Sequence, residues 1–181
     1  SLNSGDVWLF DNSYLSVKET KFALNELDRI HLLPFSEKGM PYVLEFAQEY
    51  LAENNMQISA ELIGVYANTH EETHALTLGE LEVLPVFLRL ELCRILCVSL
   101  TGEKKNGNEF YKALFTAYRV LSSFDTEDLL ELSETEKILE DDPSGDYGKM
   151  NTLSKSYYRK KLFELSLQKG ITEREAAKGL L

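Results

Sequence analysis

The chain has 181 residues, 44% of them hydrophobic and 27% charged, and its net charge is −11. That length closes one sizeable core and that composition is globular rather than disordered. The acidic balance repels phosphate backbones and argues against nucleic acid as a partner, while four prolines and ten glycines are too few for a β-sandwich of this length.

Hydrophobic spacing predicts helices throughout. The first runs from about Asp6 to Asp28, with Phe10, Tyr14, Val17, Leu24 and Leu27 on one apolar stripe and Trp8, Leu15 and Phe22 beside it. A loop follows with His31, Pro34 and Gly39. Pro41 suits the first turn of a second helix, where its missing N–H is not needed. That helix carries Val43, Phe46, Ala47, Tyr50 and Leu51 and ends at Asn54-Asn55. A short third helix holds Leu62, Ile63, Val65 and Tyr66.

Thr77 and Glu80 form a capping box that opens a fourth helix over about 77–101. Its apolar residues occur nearly all round, so it is expected at the centre of the core, kinked near Leu81–Leu84 by Pro85. Cys93 and Cys97 share a face of it and read as half-buried thiols. After a polar loop at Gly102–Asn108, Phe110, Leu114, Ala117, Leu121 and Phe124 give a fifth helix a heptad-like seam. Asp125 and Ser133 then read as N-caps of two short acidic helices, Ser133 with Glu136 repeating the capping-box pattern. Asp142-Pro143-Ser144-Gly145 is a turn. A helix over Thr152–Lys169 follows, with Gly170 as its C-cap, and Thr172 with Glu175 caps a last one. The expected architecture is all-α: a single bundle-like domain over 5–181, with six to eight helices around the segment near 77–101.

Charge is unevenly spread. Residues 125–142 carry a net −8 and residues 149–178 a net +5. Two solvated faces explain this; so does a basic C-terminal helix that approaches an anionic membrane surface. No run approaches the roughly 20 apolar residues that span a bilayer.

His70-Glu71-Glu72-Thr73-His74 matches the zinc-protease pattern H-E-x-x-H. Three features count against metal chemistry there. The flanking residues are polar, the string falls just before the Thr77 cap, and no third protein ligand is well placed among Glu80 and Glu91. No phosphate loop, nucleophile elbow or C-x-x-C pair occurs. Neither a metal nor another cofactor is therefore expected, and no catalytic residue is assigned.

Four stretches stand in order: Trp8-Leu9-Phe10-Asp11-Asn12; Leu33-Pro34 with Gly39-Met40-Pro41-Tyr42-Val43; Leu76 through Arg89, including Gly79, Glu80 and Pro85; and Asp142-Pro143-Ser144-Gly145-Asp146-Tyr147 with Met150 and Tyr157-Tyr158-Arg159. Together they resemble the N-terminal cytoplasmic region of cyclic β-1,2-glucan synthases, large membrane enzymes that polymerise glucose from UDP-glucose and cyclise the product. The resemblance spans roughly Trp8 to Gly170. The family often has an aromatic residue where Glu82 stands, an Asp where Asn151 stands and a Thr-Arg pair where Ser154-Lys155 stand.

The resemblance implies a non-catalytic helical piece of a longer enzyme on the cytoplasmic side of a bacterial inner membrane. Its partners would be the other domains of the parent glycosyltransferase and, through the basic C-terminal helix, the membrane surface. The matched residues read as structural. Trp8 would anchor a core, Asp11 and Asn12 would bond to another helix, Glu80 and Arg89 would pair internally, and Tyr147, Tyr157 and Arg159 would brace the turn at Asp142-Pro143. Alternatives are a helical module that binds carbohydrate or protein and, more remotely, a zinc hydrolase built on His70, Glu71 and His74.

Overall fold

The computed structural model describes residues 4–27, 33–69, 75–101 and 106–180, with the side chains of residues 4–6 and of Trp8 outside that description. The helices are α1 (Ser4–Leu27), α2 (Tyr42–Glu53), α3 (Ala60–Thr69), α4 (Leu78–Thr101), α5 (Asn108–Ser122), α6 (Glu127–Leu130), α7 (Glu134–Glu140), α8 (Thr152–Lys169) and α9 (Glu173–Lys178), with a 3-10 turn at Tyr147–Lys149. The described residues include no strand, only an isolated bridge between Phe35 and Pro41. The all-α class expected from the spacing is the class observed. No described helix is long and apolar enough to cross a membrane.

The chain divides into two compact units, one of Ser1–Ile63 with Val83–Phe124, the other of Gly64–Glu82 with Asp125–Leu181. In the first unit α1 packs on α5. The middle of α4 is buried almost without interruption: Leu84 to Arg89, then Glu91 and Leu92. Each fully buried large side chain there contributes roughly 1.5–3 kcal/mol. The final turn emerges, leaving Cys97, Val98 and Leu100 exposed; Cys97 is not the half-buried thiol its spacing suggested. Helix α5 buries two rows. Leu114, Ala117 and Leu121 are the predicted seam, and Tyr111, Phe115 and Tyr118 widen it, while Phe110 and Phe124 stay half-buried.

Helix α1 reverses its predicted face. Phe10, Tyr14, Val17 and Leu24 are exposed, and the buried side is Leu15, Ser16, Glu19 and Ala23. The cause is Arg89. A buried guanidinium is costly unless paired, and Glu19 Oε2 accepts from its Nε at 2.7 Å. Seating Glu19 inward turns the apolar stripe outward.

The second unit has its own core, in which Leu78, Leu81, Leu130, Leu139, Leu162 and Ala177 pack together. Helix α9 rests on α7 and α8. Its capping box is complete: Thr172 Oγ1 accepts from Glu175 N at 3.1 Å, and Glu175 Oε2 accepts from Thr172 N at 2.9 Å. The same reciprocal pair opens α4, with Glu80 N donating to Thr77 Oγ1 at 3.2 Å and Thr77 N to Glu80 Oε2 at 2.9 Å. Gly170 ends α8 at φ 65°, the left-handed conformation in which a Cβ is unfavourable.

Candidate functional site: a buried arginine among carboxylates

The densest polar constellation lies in the second unit. Arg159, midway along α8, has a side chain only 1% exposed. Its Nε donates to Glu136 Oε2 at 3.0 Å and its Nη2 to Glu136 Oε1 at 2.6 Å, a bidentate fork. Its Nη1 donates to Glu82 Oε1 at 3.0 Å. Both terminal nitrogens also reach Glu127, at 3.4 and 3.2 Å. A guanidinium has five N–H donors, and these five contacts use them all. Burial alone would disfavour the charge, but the bonds to Glu136 and Glu127 outweigh it and hold Arg159 firmly protonated.

Local sequence explains why these groups converge. The Asn151 side chain caps α8 by accepting from Ser154 N at 2.9 Å, and Arg159 and Leu162, three residues apart on that helix, are both buried. On α7 the predicted box of Ser133 with Glu136 does not form, and Ser133 makes no side-chain cap. Glu136 turns inward instead, to Arg159 and to the Tyr147 hydroxyl, which donates to its two oxygens at 3.0 Å. A strong charge-assisted pair displaces a cap of about 1 kcal/mol. Burial first, and then the Glu136 charge, raise the Tyr147 phenol above its ordinary range.

The Asp142 turn leads into this cluster. Asp142 Oδ1 accepts from Ser144 N at 3.0 Å, and Oδ2 from Ser144 Oγ at 2.5 Å, Asp146 N at 3.1 Å and Tyr147 N at 3.4 Å. Bonds from Ser144 and the loop amides hold its carboxyl below the usual range. Gly145 takes φ 62° in the turn and Pro143 is exposed. Tyr147 meets Tyr158 edge-on at 5.3 Å between centroids, and the Lys155 ammonium lies 5.2 Å from its ring centre. Tyr157, expected beside them, is exposed.

Glu173 is the second unusual group of this unit. It opens α9, is 8% exposed, and accepts from Leu78 N at 2.8 Å through Oε2. Its Oε1 has no hydrogen-bond partner. Burial, opposed by the Leu78 amide and reinforced by the charges of Glu80 and Glu82, pushes its carboxyl up to about 7.

The other matched residues fall in the first unit or at the start of α4. Arg89 repeats the pattern of Arg159, donating to Glu19, to the Pro85 carbonyl at 2.9 Å and to the Leu121 carbonyl, with its guanidinium 4.8 Å from the Phe22 ring centre. Asn12 Oδ1 accepts from Arg119 Nη2 of α5 at 3.1 Å. Asp11 is exposed. Gly79 sits in the first turn of α4 with open space where a Cβ would stand, and Glu80 is fully buried in its capping box. The Trp8 side chain, His31 and the string His70-Glu71-Glu72-Thr73-His74 lie outside the described residues.

Among the described residues no group of three or more His, Cys, Asp or Glu is arranged to hold a metal ion. A shallow recess of about 240 Å³ is bordered by Asp142, Ser144, Tyr147, Met150, Tyr158 and Leu180. Of the groups around it, the Asp142 carboxylate and the Tyr147 hydroxyl are already bonded within the protein. Sequence reasoning placed Arg159 and Tyr147 in a brace but missed Glu127, Glu136 and Glu173. A lone Glu on an acidic helix carries no sign of facing inward.

Compared with protein-family models, with curated proteins and with solved structures, the chain gives no match.

Proposed function

We propose that the chain is a non-catalytic helical accessory domain of a cyclic β-1,2-glucan synthase, packing against the transferase part of that enzyme on the cytoplasmic side of the membrane. The observation that carries this reading is the ordered resemblance of four stretches from Trp8 to Arg159. Its support is that several of the matched polar side chains are spent on bonds within the protein. Arg159 has all five donors engaged, Arg89 is bonded to Glu19 and two carbonyls, and Asp142 accepts from its own loop. Groups so engaged hold elements together; they are not open to a sugar nucleotide.

The test is turnover of UDP-glucose by the purified chain, and the expected result is none. Co-purification of the chain, supplied in trans, with a glucan synthase truncated at its N-terminus is expected to restore glucan synthesis. Turnover by the chain alone, or failure to associate, overturns the reading. Calorimetry with linear and cyclic β-1,2-glucans separates it from a glucan-binding module, which would give saturable heat.

A further inference from the structure

The outward stripe of α1 has a regular period. Val7, Phe10, Tyr14, Val17, Lys21 and Leu24 follow one another at intervals of three, four, three, four and three, the a/d spacing of a coiled-coil seam. The five apolar members are 47%, 81%, 66%, 52% and 53% exposed in chain order. The opposite face, through Leu15, Glu19 and Ala23, is the one buried against the rest of its unit. The seam extends over about 26 Å of helix. A seam with this period is shaped for another helix rather than for a flat surface.

Charge selects which helix. Asp11 and Lys18 flank the seam at successive e positions, with Lys18 exposed and only 3.8 Å from Glu19 as its near neighbour on the same helix. We propose that α1 pairs antiparallel with α1 of a second copy of this chain. In that register Tyr14 lies across from Val17 of the copy, Val7 across from Leu24, and Phe10 across from Lys21, whose ammonium can sit over the ring. Asp11 then falls beside Lys18 of the copy, and the two-fold axis repeats every pair. A parallel in-register pairing would stack Lys21 on Lys21 and bring no opposite charges together. Two chains of net charge −11 repel each other, and salt at about 0.15 M screens that repulsion beyond roughly 8 Å. The short flanking pairs survive it better.

Sedimentation equilibrium at that ionic strength is expected to show the chain moving toward dimer mass as its concentration approaches about 1 mM. Tyr14→Glu with Val17→Glu, both on the exposed stripe, is expected to abolish dimer while far-UV circular dichroism stays unchanged. Asp11→Lys alone and Lys18→Asp alone are each expected to weaken association about tenfold. The double exchange Asp11→Lys, Lys18→Asp is expected to restore it, which only an antiparallel pairing predicts. A wild-type chain that stays monomeric throughout overturns the proposal and leaves the stripe to an unlike partner. A dimer indifferent to the charge exchange overturns it equally.

Discussion

Arg159 and Glu136 are locked by two parallel hydrogen bonds, Nη2 to Oε1 at 2.6 Å and Nε to Oε2 at 3.0 Å. The pair joins α8 to α7 where both partners are almost fully buried, at 1% and 4% side-chain exposure. Half-removing such a pair costs far more than removing it whole, because an unpaired buried charge remains.

Arg159→Met is therefore expected to destabilise the second unit by about 3–5 kcal/mol, since it strands Glu136. Arg159→Lys is expected to recover only part of that, because an ammonium cannot make the planar fork. Combining Arg159→Met with Glu136→Met is expected to cost less than Arg159→Met alone. Urea denaturation followed by circular dichroism measures all three; equal losses for the single and double variants would contradict the pairing.

Arg89 and Glu19 hold α1 to α4 in the first unit. Glu19→Ala is expected to cost about 3 kcal/mol by leaving the guanidinium short of its carboxylate. Asn25→Ala, on the same helix and exposed, is expected to cost under about 1 kcal/mol. Thermal unfolding of both variants gives the comparison.

Glu173 makes stability depend on pH. Its folded carboxyl titrates at about 7 against an ordinary 4.5. Below 4.5 the proton is on in both states and the group costs nothing. As pH rises through that window the unfolded chain ionises first, and above 7 the fold carries the full penalty, on the order of 3 kcal/mol. Glu173→Gln mimics the protonated form. It is expected to raise stability at pH 8, to change little at pH 5, and to flatten the slope between them. A variant slope parallel to the wild type at pH 5–8 would remove Glu173 as the cause.

The string His70-Glu71-Glu72-Thr73-His74 is expected to bind no zinc tightly. The residues that flank it in sequence are polar, and a tetrahedral site needs a third protein ligand that the sequence does not place beside the two histidines. Equilibrium dialysis followed by metal analysis should find less than one tightly held zinc per chain; one per chain would revive the hydrolase reading.

Much of the local structure was legible because its causes are local. Thr77 with Glu80 and Thr172 with Glu175 place an oxygen and a carboxylate three residues apart, and both boxes form. Gly170 ends its helix for the same kind of reason. The Ser133 box failed because Glu136 had a stronger partner 23 residues away in Arg159, which no short window contains.

The sequence by itself determined the helical class, most helix boundaries and two of the three expected capping boxes, since spacing and caps act within a turn or two of chain. Only the tertiary structure decided which faces turn inward. On α1 the face that turns inward is the one bearing Glu19, whose partner Arg89 lies 70 residues away, while Phe10, Tyr14, Val17 and Leu24 stay exposed; no short window of sequence contains that pairing.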